Sequence, residues 1–179
     1  MLYSELLAKV HAQIAGGLNV APDPASDVAF GRSIANWPVF ADTVDALASL
    51  KKHYKLVVLS NVDNTSFNTM TRPILEPQGE GSIFDMIITA QDLKAYKPNP
   101  AVFEAALAKI KDSFGITKED VIVVAQSLQH DHRPANALGI RSVWIDREGA
   151  LTCYDADATY DFRFVTLGEM ASARNEENK

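Results

Sequence analysis

Three short stretches of this chain carry side chains suited to handling an anion. Ser60-Asn61 offers a hydroxyl and a carboxamide, both able to donate a hydrogen bond to an anion or a departing group. Lys94-Ala-Tyr-Lys97-Pro-Asn-Pro100 presents Lys97 from a backbone stiffened by the prolines that follow it. Gln126-Ser-Leu-Gln-His-Asp131-His132 places a carboxylate at the start of a helical stretch, whose dipole favours its charge. Each also has a plainer explanation. Turn and N-cap chemistry accounts for Ser60-Asn61, a solvated loop ammonium for Lys97, and helix capping for Asp131. Their occurrence in this order, each beyond its own apolar run, favours one shared site.

The apolar runs are Lys55–Leu59, Met86–Thr89, Val121–Ala125 and Arg141–Ile145. A helical pattern over Thr43–His53 precedes the first run and others over Asn64–Leu75, Ala101–Lys111 and Asp131–Leu138 lie between the runs, so strand and helix alternate. Runs such as LVVL and VIVV are apolar on both faces, as strands covered by helices on both sides must be. The pattern predicts an α/β fold with a doubly wound, mainly parallel sheet, in which ligands bind beyond the carboxyl ends of the strands. Ser60, Asn61, Lys97 and Asp131 all fall there.

Ahead of this core, Leu2, Leu6, Leu7, Val10 and Ile14 recur at helical spacing and meet Gly16-Gly17. A Pro/Asp-rich stretch, Ala21–Asp27, then precedes a second helical pattern from Val28 to Asn36, closed by Trp37-Pro38. We therefore expect a small helical lobe over 1–36, an α/β core over 37–170 and a frayed polar tail over 171–179.

With 179 residues and 47% apolar content, one domain can bury a sizeable core. The formal charge of -6, with its cations scattered singly, provides no basic stripe for nucleic acid. No apolar run is long enough for a secretory h-region or a membrane span, and Cys153 is the single cysteine, so a cytoplasmic protein with no internal disulfide is expected. Cys153 itself reads as a small buried hydrophobe.

The phrases LVVLSN, YKPNPAVFEAAL and VAQSLQHDH, followed by GIRSVWIDR, resemble the haloacid dehalogenase superfamily, and its 2-haloacid dehalogenase branch most. The resemblance runs from about Trp37 to Gly168, with residues 1–36 matching part of the family's helical cap. It implies a Rossmann-like core and roles for four residues. Ser60 and Asn61 contact the substrate anion and leaving group. Lys97 offsets the charge of an aspartate nucleophile, and Asp131 orients Lys97 or water. It further implies a small anionic or carboxylate substrate and a homodimer as one possible assembly.

The family's first motif, a strand ending in the aspartate nucleophile with a threonine four residues later, is not found in this chain. Asp155-Ala-Asp157-Ala-Thr159 matches the D-x-D-x-T form, but no strong apolar run leads into it, and GALTCY before and TYDFRFVTL after fit a loop and a small last strand. It reads as a decoy. In the family the nucleophile strand lies between the strands assigned here to Leu56–Leu59 and Val121–Val124. Its loss would leave two apolar edges, at about 1 to 3 kcal/mol for each unpaired buried backbone group against a domain stability of about 5 to 15 kcal/mol. The edges must then pair directly or be filled by a partner chain. An amino-terminally truncated hydrolase is the first expectation, and a binding protein or complementing subunit without hydrolytic activity the second.

A Mg²⁺-dependent phosphatase is the third. It is disfavoured because Gln126 follows the apolar strand where that branch usually has an acid, leaving Asp131 as the fourth-motif carboxylate. No metal site and no cofactor beyond weak Mg²⁺ binding are expected. His130 and His132 stand two residues apart and do not share a helix face, which argues against a transition-metal pair. Phe103 and Leu128 stand where the haloacid enzymes commonly carry a tyrosine and an asparagine, two departures from the family's pattern.

Overall fold

The computed structural model describes residues 1–76, 81–147 and 155–177. Cys153 and the segment GALTCY lie outside them.

The chain opens on a helical hairpin. In α1 (Tyr3–Gly17) the Glu5 carboxylate accepts the Leu2 amide at 3.0 Å. The second helix, α2 (Pro24–Arg32), starts before the expected Val28. Asp23 caps it by accepting the Ala25 amide, and Pro24 occupies the first turn, where a missing N–H costs nothing. Gly31 sits where the helices meet, and a Cβ there would strike the Ser4 carbonyl. His11 pairs with Asp27 at 2.6 Å and stacks on Phe30. A 3₁₀ turn, Ser33–Asn36, ends the lobe.

The core alternates as expected. In order, α3 (Thr43–Leu50), β1 (Val57–Ser60) and a continuous helical run follow, made of α4 (Asn64–Ser66), a π-helical segment (Phe67–Thr71) and α5 (Arg72–Leu75). Then come β2 (Met86–Thr89), α6 (Ala90–Leu93), α7 (Pro100–Phe114) and β3 (Ile122–Ala125). A π-helical turn (Leu128–His132) leads into α8 (Arg133–Ala137), β4 (Arg141–Ile145), β5 (Phe162–Phe164) and α9 (Leu167–Glu176). Every strand pair is parallel: β1 to β2 from Val57↔Met86 to Ser60↔Thr89, β3 to β4 from Ile122↔Arg141, and β4 to β5 from Val143↔Phe162.

Two hydrophobic clusters explain why the strands are apolar on both faces. Ala46 and Leu50 of α3 pack with Val143, Ile145, Met170 and Ala171, and Ile122 joins them. Val102 and Phe103 of α7 pack with Ala135 and Ile140, and Leu59 and Val123 join them. Neighbours in β3 thus point to opposite layers, so α3 and α9 cover one face and α7 and α8 the other. This is the doubly wound architecture.

The sheet falls into two parts, β1–β2 and β3–β4–β5. The edges of β1 and β3 do not pair with each other among the described residues.

The carboxyl end departs from expectation, because α9 is helical through Glu176 and not frayed from Ala171 onward. Thr166 caps it by accepting the Glu169 amide, Met170 and Ala171 are buried against α3, and Asn175 binds both His53 and Ser49. Burial and these ties outweigh the polar composition that suggested disorder. No helix of the described residues is long and apolar enough to cross a membrane.

Candidate active site

Lys97 stands at the centre of the carboxyl-terminal edge. Its Nζ donates to the Leu59 carbonyl of β1 at 2.8 Å and to Asp131 Oδ1 beyond β3 at 2.6 Å, so one side chain bridges the two parts of the sheet. Both charged side chains are only 13% exposed. At that burial the pair is held by geometry as well as charge, and removing one partner leaves a costly lone ion. Among the described residues two of the three ammonium donors are engaged, which leaves the third for a ligand.

Asn61 fixes the lysine from the other side. Its Nδ2 donates to the Lys97 carbonyl at 3.0 Å, while the Lys97 amide donates to its Oδ1 at 2.8 Å. The carboxamide is thus paired with the lysine's backbone, which pins the loop whose Lys97–Pro98 peptide is cis. Ser60 closes β1 opposite Thr89. Of the four expected residues, Lys97 and Asp131 line a cavity of about 190 Å³ with Leu59, Phe103 and Ala125. Asn61 joins them through Lys97, and Ser60 lies next to Asn61 without lining that cavity.

Two supporting residues carry the geometry. Asp63 is 7% exposed and accepts amides from Ser66 at 2.9 Å and from Tyr3 of α1 at 2.6 Å, so the site loop is tied to the helical lobe. Burial opposes its ionisation, but those donors overcome burial and hold its carboxyl below the usual range. His132 is fully buried. Its Nε2 lies 3.0 Å from the Ala125 carbonyl and its Nδ1 3.0 Å from the Ser142 hydroxyl. A carbonyl can only accept, so Nε2 carries the hydrogen and Nδ1 accepts from Ser142. Burial pushes the imidazole below its ordinary value, and the neutral ring locks the turn bearing Asp131 onto the ends of β3 and β4.

The pattern Asp63-Asn-Thr-Ser66 is a recognisable N-cap, but its link to Tyr3 is not visible in the sequence. Nothing local marks His132 as buried. His130 meets the Ser127 hydroxyl with both its ring Nδ1 and its donating backbone amide, away from the partners of His132. Phe103 and Leu128, each 3% exposed, are core residues. Asp155 pairs with exposed Arg133 at 3.1 Å and caps the Asp157 amide.

A cation framed by a carboxylate and a carbonyl, in a half-apolar cavity at a sheet's carboxyl edge, suits a small anion or a developing negative charge. Known proteins share this arrangement of elements. A phosphoserine phosphatase of Thermus thermophilus is 29% identical over 159 residues, 87% of this chain and 59% of its own length. Haloacetate dehalogenase H-2 of Moraxella sp. is 27% identical over 62% of this chain and 46% of its own length. The chain thus spans about half the length of these curated relatives. The L-2-haloacid dehalogenase of Xanthobacter autotrophicus superposes over 94% of this chain and 74% of its own with a TM-score of 0.73 at 19% identity, a likeness of fold. The haloacid dehalogenase-like hydrolase family matches residues 31–145, and this chain belongs to that family.

Proposed function

We propose that the site serves hydrolysis of a carbon–halide bond in a small 2-haloacid, in a cytoplasmic setting. The observation that carries this reading is the Lys97 ammonium held between Leu59 and Asp131, with one donor unspent among the described residues. In this reading an aspartate on a strand not found in this chain attacks the carbon bearing the halide, the carbon–halide bond breaks, and halide leaves with the electron pair. Water then adds to the ester carbonyl, the acyl–oxygen bond breaks, and the hydroxy acid is released with the aspartate restored and a proton freed. Lys97 keeps the nucleophile ionised, Asp131 orients Lys97 or the water, and Ser60 and Asn61 meet the substrate anion and the departing halide.

A second reading, a Mg²⁺-dependent phosphatase, is favoured by the phosphoserine phosphatase among the relatives. The two separate in one assay of the chain carrying an aspartate-ended strand joined ahead of residue 1 by a flexible linker. Halide release from 2-chloropropionate without added metal supports the first reading. Mg²⁺-dependent phosphate release from phosphoserine with no halide release overturns it.

A further inference from the structure

Beside the Lys97 site, the loops after β1 and α6 enclose a second cavity of about 310 Å³, a size that takes a ligand of few carbons. Val62 and Asp63, which follow Asn61, line one side, and Gln91, Lys94 and Tyr96, which precede Lys97, line the other. None of these residues lines the cavity at Lys97. Leu2, Val62 and Ala90 give the second cavity an apolar wall. Its donors are unspent. Gln91 and Lys94 stand three residues apart at the end of α6, on one side of a single helical turn. The Gln91 Oε1 accepts the Asn64 amide at 3.0 Å, which fixes the carboxamide and presents its NH₂ as a donor. The Lys94 ammonium and the Tyr96 hydroxyl have no partner among the described residues, and Tyr96 is 59% exposed. Asp63 is the acid on the wall, and each of its oxygens already accepts an amide, from Ser66 or from Tyr3.

The backbone of Lys94 singles this residue out. It ends α6 in the left-handed region, at φ 53° and ψ 28°. Glycine takes that conformation freely, and asparagine or aspartate can brace it with a short polar side chain, but lysine has neither advantage. The strain is offset by no contact of the Lys94 side chain among the described residues, so it points to a ligand. We propose that this cavity binds a small aliphatic carboxylate, with its oxygens on Lys94, Tyr96 and Gln91 and its chain against Leu2, Val62 and Ala90. One ammonium and two neutral donors match the single charge of a carboxylate, and the buried charge of Asp63 disfavours a more highly charged anion such as phosphate. The inference does not depend on the hydrolase reading, because binding and not turnover is measured.

The test is calorimetric titration of the whole chain with pentanoate. Saturable one-to-one binding is expected, with pentan-1-ol, pentylammonium and inorganic phosphate each weaker by about tenfold or more. Lys94→Gly should lose about tenfold or more in affinity while its melting temperature holds or rises, since glycine relieves the left-handed backbone. Lys94→Arg should still bind, and Tyr96→Phe should weaken binding about fivefold. A structural role for Lys94 predicts the opposite response to glycine, a lower melting temperature. No binding to the native chain, undiminished binding by Lys94→Gly, a lower melting temperature of that variant, or phosphate bound as tightly as pentanoate would overturn the proposal. Binding that survives Lys94→Gly and is lost from a folded chain carrying Lys97→Met with Asp131→Leu would overturn it too, by placing the carboxylate on Lys97.

Discussion

Asn61 and Lys97 hold each other reciprocally, the carboxamide of one spanning both the amide and the carbonyl of the other. Asn61 therefore acts first as a clamp on the lysine's backbone. Asn61→Asp keeps the acceptor and loses the donor, and Asn61→Ala loses both. Urea titration should show a loss of about 1 kcal/mol for the first and about 2 kcal/mol for the second.

Lys97→Ala leaves Asp131 buried without its cation. A destabilisation of about 3 kcal/mol is expected by denaturant melt, with complete loss of halide release in the chain joined to an aspartate-ended strand. Stability restored by the double replacement Lys97→Met with Asp131→Leu, without restored activity, would separate the structural from the chemical part of the pair.

His132→Ala removes two hydrogen bonds and leaves a cavity beside Ser142, for a loss of about 3 kcal/mol. The ring also imposes a pH dependence. Its folded pKa lies below the ordinary 6.5 because burial disfavours the charged form, so the unfolded chain takes up the proton first. Stability is complete above about 6.5 and falls as pH drops below it, and melts between pH 7.5 and 5 should lose this slope in His132→Asn.

Asp85 ties the start of β2 to that of β1, accepting from Lys51 at 2.5 Å, Lys55 at 3.2 Å and the Leu56 amide at 2.8 Å. Burial works against its charge, but these donors prevail and bring it from 3.8 to about 2. A lowered carboxyl gives stability that is whole above 3.8 and lost as pH falls towards 2. Asp85→Asn should flatten acid unfolding in that window.

Asp155→Asn should leave hydrolysis by the joined chain nearly intact and cost under about 1 kcal/mol, because its partner Arg133 is 65% exposed. Halide release that vanishes with this replacement would reassign the D-x-D-x-T stretch.

The elements were legible where local pattern and burial agree. The runs Met86–Thr89 and Arg141–Ile145 are strands to the residue, since apolar side chains on both faces leave no other use for them. Lys97 and Asp131 were legible as neighbours because the parallel sheet brings successive carboxyl ends together. The clamp by Asn61, the Tyr3–Asp63 tie and the role of His132 were not, as each joins residues by a hydrogen bond that no spacing encodes. The helix over Ala171–Glu176 was hidden for the same reason, its order coming from Ser49 and His53 more than a hundred positions earlier.

At the crossing of the first two helices, Gly31 lies against the Ser4 carbonyl with no room for even a methyl group. That contact divides the lobe into positions of very different mutational freedom. Val10, Ile14 and Val28 face solvent and can drift widely, whereas every exchange at 31 must push the helices apart. A library of variants across residues 1–36 should therefore read out as tolerant at these exposed positions and closed at Gly31 and at buried Ile34.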